Sequence, residues 1–219
     1  MDVVLLAGGQ GSRLESELPK ALVSLKGKPI ISYQLDYLLN SKKAGKIILA
    51  LGYAADEIIN FAKTAYPNLP IEFSIEHEPL GTAGALKLAL KRATSDFVLV
   101  LNADDIANVD LDKLETGENT ICVANPQLPF AIVLEENNYV KNCEEKPLIK
   151  NMWVSMGWYC LDRKQFLSIA PDKGSLEYDV FPKIRLKIHR HTGFWKTVNT
   201  KKDIKAFEEA ELPEALLKP

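Results

Sequence analysis

The stretch Met1-Asp2-Val3-Val4-Leu5-Leu6-Ala7-Gly8-Gly9-Gln10-Gly11-Ser12-Arg13-Leu14, followed by Pro19-Lys20-Ala21-Leu22, decides how the chain is read. It has the pattern of a buried strand, a glycine-rich loop carrying one arginine, and a lysine fixed beside a proline. The glycines let a backbone run close to a phosphate chain, with its N–H groups turned inward as an anion nest. Arg13 and Lys20 add full positive charge to that cradle. Such an arrangement suits a nucleoside triphosphate far better than a neutral ligand.

Two common glycine loops do not fit. The dinucleotide fingerprint G-x-G-x-x-G fails because Leu14 stands where the third glycine belongs, and no G-x-x-x-x-G-K-[ST] run follows the strand. Outward from the loop, the first half alternates apolar runs with helical patterns. Strands are predicted at Val3–Ala7, Lys46–Leu51, Ile71–Ile75 and Phe97–Leu101, and helices at Ile30–Leu39, Asp56–Ala65 and Gly81–Lys91. That alternation argues for a parallel sheet covered on both faces. Ligands of such sheets bind beyond the carboxyl ends of the strands, where the glycine loop falls.

The second half changes character. Thr120–Ala124, Ala131–Glu135, Tyr139–Cys143 and Trp153–Leu161 are short and strand-like, the middle two joined by Glu136-Asn137-Asn138. They predict an added mixed or antiparallel region. A helix near Glu177–Lys187, a strand at His189–Trp195 and a closing helix at Lys202–Glu211 are expected next. One domain is expected over residues 1–211, with Leu212–Pro219 as a loose tail.

Composition narrows the classes. The chain has 219 residues, is 47% hydrophobic and carries a net charge of -2, so no nucleic-acid or membrane surface is indicated. Cys122, Cys143 and Cys160 form no C-x-x-C pair and read as reduced thiols in the core of a cytosolic protein. A strand beginning at residue 2 leaves no room for a signal peptide, and no apolar run is long enough to span a bilayer. The expectation is a soluble, cytoplasmic protein. A homo-oligomer is compatible with the sequence but not indicated by it.

The opening motif, L-A-G-G-x-G-[ST]-R-L with P-K-A-L after it, resembles the signature of the sugar-1-phosphate nucleotidyltransferases. Further motifs follow in that family's order. Glu78-Pro79-Leu80-Gly81-Thr82-Ala83-Gly84 is similar to its E-P-L-G-T-[AG]-G segment, and Leu101-Asn102-Ala103-Asp104-Asp105 to its L-N-G-D. Glu144-Glu145-Lys146-Pro147 resembles E-K-P. Ser155-Met156-Gly157-Trp158-Tyr159 stands where many relatives have N-A-G-I-Y, with Gly157 matching and Ser155 replacing the asparagine. The last segment, Gly193-Phe194-Trp195-Lys196-Thr197-Val198-Asn199-Thr200, departs from W-x-D-[IV]-G-T: Thr197 takes the place of a metal-binding aspartate. Other branches put an asparagine or aspartate two residues later, which Asn199 fits.

The resemblance implies a Rossmann-like three-layer α/β/α fold with a mainly parallel mixed sheet. It implies nucleotide binding by Ala7, Gly8, Gly9, Gly11, Ser12, Arg13, Gly81 and Thr82, with close backbone approach to base and sugar at Gly81. Lys20, Glu145, Lys146 and Gly157 would hold the sugar phosphate, and Asp104 and Asn199 a Mg²⁺ ion. In the implied reaction a sugar-1-phosphate oxygen attacks the α-phosphorus of a nucleoside triphosphate and pyrophosphate leaves. The nucleophile is already an anion, so alignment and charge stabilisation by Arg13, Lys20 and Lys146 carry the catalysis. The L-N-A-D-D and E-P-L-G-T-A-G versions look closest to mannose- or heptose-1-phosphate guanylyltransferases, which makes GTP the expected nucleotide. The short Arg13-to-Lys20 gap also resembles cytidylyltransferases acting on phosphocholine or polyol phosphates. Thr197, Ser155 and Ala103 motivate a further alternative, a non-catalytic regulatory subunit that binds nucleotide sugar. A glycosyltransferase is disfavoured, since Asn102-Ala103-Asp104 lacks one carboxylate of D-x-D.

Overall fold

A computed structural model describes residues 1–14, 16–114 and 117–217. In chain order it contains β1 (Val3–Leu6), β2 (Ser24–Leu25), β3 (Lys28–Pro29), α1 (Ile30–Leu39), β4 (Ile47–Leu51), α2 (Ala55–Ala65) and β5 (Ile71–Ile75). There follow α3 (Gly81–Leu90), β6 (Phe97–Asn102), β7 (Asp105–Ala107), β8 (Thr120–Ala124), β9 (Ile132–Glu136), β10 (Tyr139–Glu144) and β11 (Val154–Asp162). The chain closes with α4 (Arg163–Ile169), β12 (Lys187–Arg190), β13 (Trp195–Thr197), α5 (Lys201–Glu208) and α6 (Glu214–Leu217).

Seven strands form the central sheet in the order β12-β8-β11-β6-β1-β4-β5. Neighbours run parallel except at β11, which is antiparallel to both β6 and β8. Successive strand residues point to opposite faces, so each inner strand feeds two cores. Val3, Leu5, Leu49 and Leu101 pack with Ile31 and Leu35 of α1 and Ile58 of α2. Val4, Ile48, Val98 and Val100 pack with Leu86 and Leu90 of α3 and Phe166 of α4. Burial on both faces is why these strands read as unbroken apolar runs rather than alternating ones. The three-layer α/β/α architecture is therefore as expected.

Four local expectations are corrected. The helix expected over Glu177–Lys187 is one π-type turn, Leu176–Val180, and one 3₁₀ turn, Phe181–Lys183. Pro182 lacks the N–H needed to carry the ladder on. The strand expected over His189–Trp195 is two strands in different sheets. β12 pairs with β8, the chain breaks away at His191-Thr192-Gly193, and β13 pairs antiparallel with β7. The segment expected as a loose tail is anchored at two residues: Leu212 and Leu216 are buried against Phe207. Cys122 and Cys160 are core residues, but Cys143 lies on the exposed β9–β10 ribbon. That ribbon turns through Asn137 and Asn138, whose φ angles of 56° and 66° suit a two-residue hairpin.

Two anchors place the elements that surround the strand ends. The Asp2 carboxylate, just before β1, accepts from the Thr94 N–H (2.5 Å), the Thr94 hydroxyl (3.1 Å) and the Ser95 N–H (3.0 Å). Burial pushes its pKa up, but these bonds outweigh it and hold the group below the ordinary aspartate value. At the start of α3, Gly81 has φ +72°, and a Cβ there would sit 2.3 Å from the Gly174 carbonyl oxygen. Gly174 accepts from the Ala83 N–H (3.0 Å), and its own N–H donates to Leu80 (2.8 Å).

Gly81→Ala should therefore cost about 2–5 kcal/mol, from left-handed backbone strain plus overpacking, read as a lower urea midpoint at unchanged slope. Asp2 gives a pH prediction. With its folded pKa depressed, its stabilisation is complete above an unfolded value of about 3.9 and disappears as pH falls through the folded one. Asp2→Asn should be less stable than the parent at neutral pH, with the difference shrinking as pH falls below about 3.9. A pH-independent difference in urea unfolding would contradict the assignment.

Candidate active site

A cleft of about 770 Å³ opens beyond the carboxyl ends of β1, β4, β5 and β6. Its size falls in the range of roughly 300–1,000 Å³ usual for small-molecule sites. It is lined by Leu6 to Gln10 leaving β1, by Gly52 and Tyr53 after β4, and by Glu76 to Pro79 after β5. Gly81, Thr82 and Ala85 of α3 complete it on one side, and Lys20, Ala21 and the turn Asn102–Asp104 on another.

The glycines permit close backbone packing here. A Cβ on Gly8 would lie 3.1 Å from the Gly52 nitrogen, and one on Gly52 would lie 2.7 Å from Glu76 Oε1. Glu76 Oε2 accepts from the Leu80 N–H at 3.2 Å, so its carboxylate is held at the cleft wall. Gly11, at φ +69°, serves Lys20: a Cβ on Gly11 would lie 2.7 Å from Lys20 Cβ.

Lys20 Nζ is the meeting point of the charged cluster. It forms an ion pair with the Asp104 carboxylate and donates to Asn199 Oδ1 at 2.7 Å. Each partner is positioned from behind. The turn carrying Asp104 is clamped by Gln34 of α1, whose Nε2 donates to the carbonyls of Asn102 (2.6 Å) and Asp105 (2.9 Å). Trp158 Nε1 also donates to the Asp105 carbonyl, at 2.9 Å. The Asp105 carboxylate is buried and accepts from Asn102 Nδ2 (3.0 Å) and Trp195 Nε1 (3.2 Å). Burial first, and the Asp104 charge second, raise its pKa, against the stabilising contacts of Asn102, Trp195 and Thr197. Asn199 precedes α5, whose capping box pairs Thr200 with Asp203. Asp203 Oδ2 also accepts from the Asn199 N–H at 3.0 Å, and Asn199 Nδ2 donates to Thr197 Oγ1 at 2.9 Å.

Two hard oxygens from distant parts of the chain thus already converge on one cation, the Lys20 ammonium. The same pair suits a divalent ion that prefers oxygen ligands. Among the described residues no group of three or more His, Cys, Asp or Glu could hold a metal. An ion here would draw its remaining ligands from substrate oxygens and water, as Mg²⁺ commonly does.

The expected site residues divide into two sets. Ala7, Gly8, Gly9, Lys20, Gly81, Thr82 and Asp104 line the cleft, and Asn199 joins them through Lys20. Gly157, at φ +72°, abuts the Asn102–Asp105 turn: a Cβ there would lie 2.0 Å from Asp105 Oδ2. The absent Cβ of Gly81 makes room for Gly174, while the Thr82 hydroxyl accepts the Leu176 N–H at 2.9 Å. Gly11 lies behind Lys20, and Ser12 and Arg13 form an exposed 3₁₀ turn outside the lining. Glu145 and Lys146 are likewise exposed and outside it, paired with each other at 3.5 Å. Gln34, Glu76 and Trp158 were not anticipated. Gln34 had a visible signal, a lone amide between Tyr33 and Leu35 on a helix whose other residues are largely buried.

Known proteins similar to this chain identify its family and share its fold. The family model described as nucleotidyl transferase matches residues 2–197. The D-glycero-alpha-D-manno-heptose 1-phosphate guanylyltransferase of Campylobacter jejuni is 34% identical over 180 residues, 78% of this chain and 80% of that protein. The mannose-1-phosphate guanylyltransferase catalytic subunit beta of Drosophila melanogaster is 33% identical over 222 residues, 91% of this chain but only 60% of the relative. Among solved structures, HddC from Yersinia pseudotuberculosis, complexed with GMP-PN, superposes with a TM-score of 0.76 at 30% identity, covering 95% of this chain and 98% of that one. The inositol-1-phosphate CTP transferase of T. maritima, at 14% identity and a TM-score of 0.72, shares the fold alone. With that family model matching residues 2–197, the chain belongs to the nucleotidyl transferase family.

Proposed function

We propose that the chain transfers the guanylyl group of GTP to a sugar 1-phosphate of mannose or heptose type, releasing pyrophosphate. The observation that carries this reading is the convergence of Asp104 and Asn199 on Lys20 at a cleft lined by a glycine-rich phosphate loop. The relatives named for GTP and for mannose or heptose 1-phosphates support the substrate pair.

Glu76 supports the choice of base. A carboxylate accepts two adjacent hydrogen bonds. Guanine offers two adjacent donors, N1–H and the 2-amino group; uracil, cytosine and adenine do not. A site built to accept those donors rejects bases that lack them.

The chemistry needs little from the protein beyond placement. The sugar-phosphate oxygen is already charged, so its bond to the α-phosphorus forms as the bond to pyrophosphate breaks, with no general base. Mg²⁺ held by Asp104 and Asn199 would neutralise charge on the phosphate oxygens. Lys20 would supply a fixed positive charge beside the phosphates. Arg13 is assigned to the pyrophosphate end and Lys146 to the sugar phosphate.

The direct test is pyrophosphate release with Mg²⁺, pairing GTP, UTP, dTTP, CTP and ATP with mannose and heptose 1-phosphates. GTP with one of these sugars should turn over. Turnover of CTP with phosphocholine or a polyol phosphate, or nucleotide-sugar binding without turnover, would replace the proposal by one of the alternatives. Asp104→Ala should lower turnover by roughly 100-fold or more. Lys146→Ala should raise the KM for sugar phosphate more than that for GTP, and Arg13→Ala the reverse; equal effects would contradict the division. Glu76→Gln offers one donor and one acceptor, which match N1–H and the 2-oxo group of xanthine. Its kcat/KM should fall roughly 10- to 100-fold for GTP and rise for XTP.

A further inference from the structure

Thr197 replaces the aspartate that the resembled enzymes use at this point, yet its hydroxyl is tied into the site. Its place is defined by geometry. Its Oγ1 accepts from Asn199 Nδ2 at 2.9 Å. Across the β13–β7 pair the residue faces Asp105, next to the Asp104 carboxylate. The Thr197 oxygen, with its lone pairs, gives the Asn199 NH₂ an acceptor on that side. The Asn199 carboxamide turns its NH₂ toward Thr197. Its oxygen faces the opposite way, where the Lys20 ammonium, which only donates, receives it at 2.7 Å. The acceptor at Thr197 and the donor at Lys20 are both met by this one orientation of the amide.

We propose that Thr197 is a positioning residue that locks the Asn199 carboxamide with its oxygen toward the cation site. An asparagine differs from an aspartate in one respect that matters here. Its two ends are chemically different, and a flip of the amide would present a donor to a cation. Aspartate needs no such lock, because either oxygen can serve. The substitution at 197 and the use of asparagine at 199 are therefore one device: the hydroxyl that replaces a carboxylate makes the neutral amide a reliable oxygen ligand. This rests on the reading of Asp104 and Asn199 as the metal-facing pair.

The test measures Mn²⁺ affinity by the electron paramagnetic resonance signal of the unbound ion, with a non-hydrolysable GTP analogue present, alongside steady-state kinetics. Thr197→Val keeps the shape and deletes the hydroxyl. It should weaken Mn²⁺ binding by about tenfold, the usual effect of losing a group that orients a metal ligand. kcat should fall with it while the KM for GTP changes little, and Thr197→Ser should recover both. The decisive arm repeats Thr197→Val in an Asn199→Asp background, where the loss should vanish. Equal losses in the asparagine and aspartate backgrounds would show a merely structural role and overturn the proposal, as would an unchanged Mn²⁺ affinity in Thr197→Val. Thermal melting verifies that each variant folds, and Thr197→Ala makes the same deletion with less bulk should the valine variant not fold. Absence of turnover with every sugar phosphate, with the Mn²⁺ pattern intact, would remove the functional reading and leave this inference standing. Absence of Mn²⁺ binding by the parent chain would remove the metal assignment and this inference with it.

Discussion

Lys20, Asp104 and Asn199 are separated by most of the chain, and the ion pair and hydrogen bond that join them set the geometry of the site. Sheet topology makes their meeting unavoidable. β1 and β6 are parallel neighbours, so the glycine loop and the Asn102–Asp105 turn leave the sheet at the same edge. The β13–β7 pair then brings Thr197 opposite Asp105 and carries Asn199 to the same place. A nucleotidyl transfer has to hold two polyanions together, and their repulsion is the main obstacle. A positive charge held at the sheet's carboxyl edge would answer that obstacle with little reorganisation during reaction.

The supports behind the cluster show what rigidity requires. Gly157 must lack a side chain, because Asp105 occupies the space a Cβ would take. Gln34 gives both hydrogens of its amide to the Asp104 turn, and its Oε1 is buried with no hydrogen-bond partner among the described residues. An unpaired buried acceptor costs about 1–3 kcal/mol. Its persistence at this turn is consistent with positioning taking precedence over local satisfaction. Asp203 does parallel work for Asn199 by closing the helix cap with the same carboxylate that holds the Asn199 backbone.

Much of this was legible in the sequence. The unbroken apolar runs of β1, β4 and β6, spaced by helical patterns, announce a parallel sheet, and the glycine loop after β1 announces where its ligand binds. The motifs named Lys20, Asp104 and Asn199 because charge and metal chemistry restrict which residue types can stand there. Other features were hidden for physical reasons. The π turn before Pro182 and the break at His191 depend on which sheet each segment joins, a tertiary choice that local pattern does not encode. Leu212 and Leu216 resemble tail residues until Phe207 is seen beneath them. Glu76 carries no motif of its own, since its role depends on Gly8 and Gly52 making room for it. Arg13, Glu145 and Lys146 show the opposite case: residues prominent in the sequence lie on exposed segments outside the cleft lining.

On the proposed reading, the Lys20 ammonium sits where a metal ion would be held by Asp104 and Asn199. The most direct measurement is a crystal structure with Mg²⁺, a non-hydrolysable GTP analogue and a sugar 1-phosphate. An ion bonded to the Asp104 carboxylate and to Asn199 Oδ1 is expected, with Lys20 Nζ moved onto a phosphate oxygen. A Lys20–Asp104 pair that persists with both substrates bound, and no ion between Asp104 and Asn199, would contradict it.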